Sequence, residues 1–237
     1  WGISVSPLVT EGMVIVSVGG GPGKSLVAYR TEDGAPVWAG GNDGLGYSSP
    51  RLAELDGARQ VLIFSDHSLA GHDPRTGALW WQYPWPAGHP HVAVPAVVTT
   101  NSILGSSGYG YGCELLQIAR DAQGEWQARR LWRSNRLKAK FANPLIKDGF
   151  IYGLDDGIFT CLDPANGQAR WKDGRYGHGQ HILAGDLLLL MAETGELVLL
   201  EPKPDALHEL SRVPVFDHKT WNPPAMAGPY VLVRNDL

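Results

Sequence analysis

The chain has 237 residues, and its 20 Lys and Arg residues against 24 Asp and Glu residues give a formal net charge of −4. A charge this small does not favour nucleic acid as a partner. No run approaches the roughly 18 apolar residues of a membrane-spanning helix, and the opening residues WGISVSPLVT lack the basic start and apolar run of a signal peptide. The 30 glycines are about 13% of the chain where about 7% is usual, which indicates a globular protein with many tight turns.

An internal repeat runs through the chain. Three eleven-residue segments superimpose without gaps, each with Gly at its seventh place and Trp at its eleventh: 28–38 (AYRTEDGAPVW), 71–81 (GHDPRTGALWW) and 161–171 (CLDPANGQARW). Their glycines, Gly34, Gly77 and Gly167, lie 43 and then 90 residues apart, and 90 is two periods of 45. A degenerate copy between them has Gly124 in phase and its Trp displaced to Trp132.

Each repeat divides into four short apolar runs separated by turn residues, as in PLIKDG, FIYGLDDG, IFTCLDPANG and QARWKDG from Pro144. Runs of this length, rich in β-branched and aromatic residues, predict strands. The pairs Asp33-Gly34, Asp56-Gly57, Asp148-Gly149 and Asn166-Gly167 predict two-residue hairpins with positive φ.

Four antiparallel strands repeated every 40 to 50 residues predict an all-β protein, a β-propeller in which each repeat is one blade. The predicted blades are residues 3–46, 47–91, 92–138, 139–177 and 178–218, with part of a sixth at 219–237, in a single propeller segment over 1–237. Because the sixth unit holds only about two strands, we expect an open arc from a ring of seven or eight blades.

The eleven-residue segments resemble the repeat of the quinoprotein-type propellers, Ala-x-Asp-x-x-Thr-Gly-x-x-x-Trp, known as the PQQ-like repeat. Segment 71–81 departs from it only at its first place, where Gly71 stands. In that family the Trp ring packs on the Gly peptide of a neighbouring blade, so the resemblance implies a structural docking role for Gly34, Trp38, Gly77, Trp81, Gly167 and Trp171. The family includes quinoprotein alcohol dehydrogenases, which bind pyrroloquinoline quinone with Ca²⁺, and non-catalytic scaffolds of the BamB type.

The cysteines bear on the choice between these two functions. The dehydrogenases carry two adjacent cysteines against the quinone, whereas this chain has only Cys113 and Cys161, 48 residues apart. The resemblance therefore favours a periplasmic or secreted scaffold that binds a protein or a small molecule. The alternative is a quinoprotein dehydrogenase that oxidises an alcohol or a sugar, with pyrroloquinoline quinone and Ca²⁺ at the channel mouth. A metal site is not predicted, because His178-x-x-His181 has no third ligand in phase.

The two faces of the predicted propeller differ in their loops. The loops between blades and those joining second and third strands open on one face, which we call the long-loop face, and the turns on the other face are short. Elaborated loops on a rigid scaffold usually carry binding. We therefore expect a partner to bind at the channel mouth, and the candidate residues are Tyr47, His67, His89, His91, Tyr109, Tyr111, Arg133, Arg136, Lys138, Lys140, Arg175, Tyr176, His178, His181, His218 and Trp221.

The two cysteines are assigned to third strands of the third and fourth blades. Aligning Gly124 with Gly167 offsets the two thiols by five residues, which is roughly 16 Å along a strand. A disulfide needs Cα atoms within about 7 Å. The sequence therefore predicts two free and largely buried thiols.

Overall fold

The computed structural model describes residues 4–86, 88–89 and 91–235. Over these ranges the regular structure is entirely β-strand, in 22 strands. No helix that could span a membrane occurs in the described ranges.

The strands form five four-stranded antiparallel sheets and one two-stranded sheet. The first sheet contains β1 (Leu8–Thr10), β2 (Met13–Ser17), β3 (Leu26–Arg30) and β4 (Pro36–Gly40). The second contains β5 (Arg51–Leu55), β6 (Ala58–Phe64), β7 (Ser68–His72) and β8 (Leu79–Pro84). The third contains β9 (Ala96–Thr99), β10 (Ser102–Ser107), β11 (Gly112–Arg120) and β12 (Trp126–Ser134).

The fourth sheet contains β13 (Leu145–Lys147), β14 (Phe150–Asp155), β15 (Ile158–Leu162) and β16 (Ala169–Arg175). The fifth contains β17 (Gln180–Ala184), β18 (Leu187–Met191), β19 (Glu196–Glu201) and β20 (His208–Pro214), and the two-stranded sheet contains β21 (Ala225–Ala227) and β22 (Tyr230–Leu232). In every sheet the spatial order of the strands is their order along the chain.

Successive sheets pack face to face around an arc. The first strands of neighbouring sheets contact each other, as β1 does β5 and β9 does β13, and the outermost strands β8 and β12 also meet. No strand of the first sheet pairs with the two-stranded sheet among the described residues. The predicted all-β propeller, an arc of five full four-stranded units and part of a sixth, is confirmed.

The hydrophobic core is divided among the interfaces between sheets. Each of four clusters joins one sheet to the next: Ile15 to Ile63, Phe64 to Ile103, Leu104 to Ile151, and Phe159 to Leu188. Strands in the middle of a sheet pack against neighbours on both faces for this reason, and β10 is buried along its whole length. A single sheet therefore has no core of its own.

The predicted two-residue hairpins are present at two of the four Asp-Gly or Asn-Gly pairs. Asp56-Gly57 and Asp148-Gly149 have positive φ at both residues, as such turns require. At Asp33-Gly34 and Asn166-Gly167 only the glycine has positive φ, so the prediction of a two-residue turn there is wrong. These turns are longer, because an Asp side chain organises them: Asp163 Oδ1 accepts from the Ala165 N–H at 2.9 Å.

Trp38 and Trp132 dock on the glycine turns of the following sheet. A Cβ built on Gly77 would overlap the Trp38 ring, and Trp38 Nε1 donates to the Pro74 carbonyl at 3.1 Å. Trp132 has the same relation to Gly167, and its Nε1 donates to the Pro164 carbonyl at 2.7 Å. The tryptophan that is displaced in the sequence thus occupies the regular dock.

Trp171 and Trp81 differ from this arrangement. Trp171 Nε1 donates to the Lys203 carbonyl of the next sheet at 2.9 Å, on a turn that contains no glycine. Trp81 lies over Gly71 of its own sheet and donates to Gln60 Oε1 at 2.7 Å, so the docking role predicted for it is corrected. The reason is local: Ala28 and Cys161 stand opposite Trp38 and Trp171, whereas Gly71 leaves room that the Trp81 indole fills.

The Trp38 dock predicts that replacement by alanine destabilises the protein more at Gly77 than at Gly34, although the two glycines lie in equivalent turns. Gly77 and Gly34 both have φ of +73, but only Gly77 is covered by an indole. Gly34→Ala should therefore cost only the left-handed backbone, about 1 to 2 kcal/mol. Gly77→Ala should cost about 1 to 3 kcal/mol more, because the added methyl displaces Trp38. Urea unfolding of both variants measures the difference, and equal losses would contradict the dock.

Both cysteines are free and fully buried, as predicted. Cys113 lies on β11 and Cys161 on β15, the third strands of the third and fourth sheets. Burial raises the pKa of the Cys161 thiol to about 11 and raises the pKa of the Cys113 thiol as well. Neither thiol is a thiolate at neutral pH, so both behave as small apolar groups.

Thiol titration tests this assignment. With DTNB at pH 8 the native protein should react slowly, because both sulfurs are buried and protonated. The same unreduced protein in denaturant should titrate two thiols. A count of zero after denaturation, or rapid reaction of the native protein, would show that the assignment is wrong.

Candidate functional site

Loops of two kinds meet on one side of the arc, the long-loop face. The loop between β2 and β3 is tied to the loop between the first two sheets, since the Gly23 N–H donates to Asn42 Oδ1 at 2.9 Å. In the same way the Gly108 N–H of the β10–β11 turn donates to the His91 carbonyl at 3.1 Å. The short turns, such as 11–12 and 56–57, lie at the other end of the strands.

Seven rings from these loops form one continuous cluster on the long-loop face. Each of the five connections between sheets supplies at least one ring, and the β10–β11 turn supplies another. The members of this ring cluster are Tyr47, His89, His91, Tyr109, Phe141, His178 and Trp221. Residues up to 174 positions apart in the sequence are thus brought together at the mouth of the arc.

Phe141 is the centre of the ring cluster. Its ring centroid lies 5.4 Å from that of Trp221 and 5.7 Å from that of His91. Tyr47 at 6.2 Å and His178 at 6.3 Å complete its ring contacts. Phe141 therefore touches rings from all four other inter-sheet loops, and these edge-on and tilted contacts fix the loops against each other.

The outer members of the ring cluster face water. Tyr109 is 61% exposed and Trp221 is 41% exposed, whereas Tyr47, His91 and Phe141 are half-buried. Large aromatic side chains held rigidly and left exposed are unusual on a protein surface that has no partner.

Two lysines sit on the exposed rings. Lys140 Nζ lies 4.8 Å from the Tyr109 ring centroid and 3.1 Å from His178 Nε2, and Lys219 Nζ lies 4.1 Å from the Trp221 ring centroid. Neither ammonium has a carboxylate within ion-pair distance among the described residues. The mouth of the arc therefore carries positive charge on aromatic faces.

Two imidazoles of the ring cluster, those of His91 and His178, have lowered pKa values, which favours the neutral ring. Burial, together with the nearby Lys140 ammonium, lowers the pKa of His178 below its usual value, and burial, His89 and Lys140 do the same for His91. His178 Nε2 consequently accepts a hydrogen bond from Lys140 at neutral pH.

Glu193 is hydrogen-bonded to two members of the ring cluster. One carboxylate oxygen accepts from the His178 N–H at 2.8 Å and the other from Trp221 Nε1 at 2.9 Å. Burial opposes ionisation of this carboxyl, but these hydrogen bonds outweigh it and lower the pKa of Glu193. Glu193 thus fixes the rings contributed by two successive loops.

The basic residues predicted for this face do not form one cluster, because they have separate partners. Lys138 Nζ is bound by the buried carboxylate of Asp155, which also pairs with Lys172 at 2.7 Å. Arg133 lies over the ring of Tyr111, which is half-buried and donates to Glu114 Oε1 at 2.7 Å. Among the predicted cations Lys140 is the one that contacts a ring of the cluster in the described residues; Arg133 lies on outer strand β12, and Arg136 and Arg175 are exposed.

Three further candidates lie outside the ring cluster. Tyr176 is buried between the fourth and fifth sheets and donates to Glu209 Oε2 at 2.8 Å, so its placement on the open face is corrected. His67 is exposed beside Asp66, with Nε2 3.5 Å from Oδ2. His218 is exposed in the loop after β20.

His181 is a core residue, which corrects its assignment to the binding face. It is 4% exposed at the start of β17, and its ring packs edge-on against Phe159 with centroids 5.4 Å apart. Neither ring nitrogen has a hydrogen-bond partner. Because both neighbouring faces are apolar, a histidine here behaves as an uncharged filler.

The sequence reasoning did not single out Phe141, Glu193 and Lys219. Phe141 follows Lys140 in the loop between the third and fourth sheets. An apolar residue next to a charged one in a loop was the available signal for it. The roles of Glu193 and Lys219 depend on contacts with Trp221, which only the packing of the fifth sheet creates.

The residues that the structure describes do not fit a quinone site with calcium. The two cysteines are buried on different sheets rather than adjacent. Among the described residues no group of three His, Cys, Asp or Glu side chains is placed to hold a metal ion. The rings at the mouth are imidazoles, phenols, a phenyl ring and an indole beside ammonium groups, which suits binding of an organic partner better than coordination of a hard cation.

The family of the outer membrane protein assembly factor BamB matches residues 2–173. The chain belongs to that family. No curated protein sequence matches it. Among solved structures, BamB from Moraxella catarrhalis is similar with a TM-score of 0.69 and 18% sequence identity, over 95% of this chain and 64% of that one. The chain thus spans somewhat less than two thirds of that protein's length.

Two other solved structures are similar in fold. The computationally designed Ika8 protein is similar with a TM-score of 0.61 and 10% identity, over 96% of this chain and 79% of that one. The Cps50 (Swd1) β-propeller domain of Myceliophteria thermophila has a TM-score of 0.59 and 12% identity, over 89% of this chain and 72% of that one. At these identities the likeness is one of fold.

His181 predicts a pH dependence of stability. Burial lowers its pKa from 6.5 to about 4 in the folded protein, so the unfolded chain binds the proton more readily. The contribution of the neutral His181 ring to the free energy of unfolding is complete above about pH 6.5 and is lost as the pH falls towards 4. Between pH 7.5 and pH 5 the loss should be about 2 kcal/mol.

Urea unfolding at these two pH values tests the assignment with His181→Met. The variant should lose about 2 kcal/mol less than the wild-type protein on acidification. His67→Met is the control for loss of an exposed imidazole, since the His67 side chain is 66% exposed. An unaltered profile in His181→Met would show that the ring is not buried as a neutral group.

Proposed function

We propose that this protein is an extracytoplasmic interaction scaffold that binds a partner protein through its long-loop face, with the ring cluster at the centre of contact. Membership of the BamB family supports both the scaffold role and the periplasmic compartment. The partner is a protein rather than nucleic acid, in line with the net charge of −4.

The observation that carries this proposal is the ring cluster itself. Binding energy at protein interfaces is concentrated in a few rigid aromatic anchors near the centre of contact. Tyr109 and Trp221 are exposed, yet their rings are held by His91, Phe141 and Glu193. A partner would therefore gain aromatic contact area without the entropic cost of ordering these side chains.

The rest of the long-loop face has the composition of an interface rim. Around the rings lie polar and charged loop residues such as Asn42, Asp156 and Lys219. An apolar aromatic centre with a polar rim is the usual arrangement of a protein–protein contact. The short turns of the opposite face offer no comparable grouping among the described rings.

Site-specific photocrosslinking in the native cell tests the proposal. A benzophenone side chain at Tyr109 should give a discrete adduct with a periplasmic protein. The matched control carries the same group at Tyr29, a 38% exposed tyrosine at the end of β3 nearer the short turns, and should give none. The same adduct from Tyr29 alone, or from neither position, would overturn the proposal.

Cell fractionation tests the compartment separately. The full-length protein is expected with the periplasmic or outer-membrane fraction rather than the cytoplasm. Recovery in the cytoplasmic fraction would refute the extracytoplasmic assignment while leaving the interaction surface to be judged from the crosslinks.

A further inference from the structure

We propose that the ring cluster recognises an extended peptide segment in which a carboxylate side chain adjoins an aromatic one. This inference rests on the proposed function and adds the chemistry of the partner. In the complex the carboxylate is bound by Lys140, and the aromatic side chain packs on Tyr109 and Trp221.

Ion pairing separates Lys140 and Lys219 from most other lysines of the protein. Four lysines, Lys138, Lys147, Lys172 and Lys203, have carboxylate partners at ion-pair distance. Lys140 and Lys219 have none among the described residues, yet both are placed on the ring cluster rather than extended into water. An ammonium held at a binding surface without a counter-ion favours an anionic partner.

Lys140 is also pre-organised for binding. Its stem packs so closely on Gly108 that a Cβ there would overlap it. Its Nζ donates to His178 Nε2 at 3.1 Å, and the lowered pKa of His178 keeps that nitrogen an acceptor at neutral pH. A lysine ammonium has three donors, so N–H groups remain for a carboxylate.

The acidic groups close to the cluster already have partners: Glu193 is hydrogen-bonded to the cluster, and Asp156, which also acts on His178, pairs with Lys138 at 3.6 Å. Glu193 uses both oxygens on the His178 N–H and on Trp221 Nε1. It therefore orients the rings and does not neutralise Lys140, which pairs with no described carboxylate.

The aromatic part of the ligand follows from the exposed rings. Tyr109, which contacts His91, and Trp221, which contacts Phe141, both present ring surface to water. A ring from the partner adds to this cluster by edge-on or offset contact. A carboxylate alone would leave these rings in water, and an aromatic group alone would leave the ammonium unpaired, so the arrangement calls for both groups in one short segment.

Fluorescence anisotropy with a labelled seven-residue peptide containing two Asp-Phe pairs tests the inference. The purified protein should bind it saturably at low salt. A peptide with Asn in place of Asp, and a second with Leu in place of Phe, should each bind at least tenfold more weakly. Equal binding of the Asn peptide would refute the carboxylate, and equal binding of the Leu peptide would refute the aromatic contact.

Three lysine variants locate the binding. Lys140→Met keeps the stem on Gly108 and removes the charge, and it should weaken binding by about tenfold or more. Lys140→Arg should retain most of the affinity. Lys24→Met is the matched control, because Lys24 is an exposed lysine in a loop of the same face but outside the cluster; it should change affinity by less than about twofold.

The outcomes separate this inference from the proposed function. Absence of peptide binding up to 1 mM, or equal losses in Lys140→Met and Lys24→Met, would overturn the ligand chemistry. A Tyr109 crosslink obtained in the same study would leave the interaction surface intact. Circular dichroism of each variant confirms that it is folded before its affinity is compared.

Discussion

The packing of one sheet against the next is the interaction on which the rest of this structure depends. The sheets have no core of their own, because each of the four buried clusters is shared by two successive sheets. The Trp38 and Trp132 docks reinforce the same interfaces, since each indole covers a glycine turn of the following sheet and donates to a carbonyl there. Stability in such a chain is a sum of nearest-neighbour interfaces.

Carboxylates add a polar component to the same interfaces: Glu114 and Asp155 are fully buried, and Glu209 is partly exposed. Glu114 accepts from Tyr83 of the preceding sheet, and Glu209 accepts from Tyr176 in the preceding connection. Asp155 pairs with Lys138 of the preceding loop and with Lys172 of its own sheet. A buried charge without its partner is costly, so these groups penalise any shift of one sheet along its neighbour.

This rigidity is what makes the ring cluster possible. The rings come from separate loops, and their mutual distances of about 5 to 6 Å are set by the spacing of the sheets beneath them. Loops on a flexible support would not hold Tyr109 and Trp221 in a fixed relation to Phe141. The same constraint keeps the Lys140 ammonium hydrogen-bonded to His178 rather than free in solvent. The positive charge at the mouth therefore has a fixed position, which favours one arrangement of an anionic partner.

The sequence by itself determined the all-β propeller, its four-stranded units and the free state of Cys113 and Cys161, because hydrophobic period, turn residues and repeat spacing are local properties of the chain. It also indicated which loops are elaborated, and six of the seven cluster rings were among the candidates. The tertiary structure alone decided that Phe141 is the centre, that His181 and Tyr176 are buried, and that Trp81 turns onto Gly71 while Trp132 docks on Gly167. These outcomes depend on which side chain fills the space left by a residue on another strand or another sheet, and that space exists only once the sheets have packed.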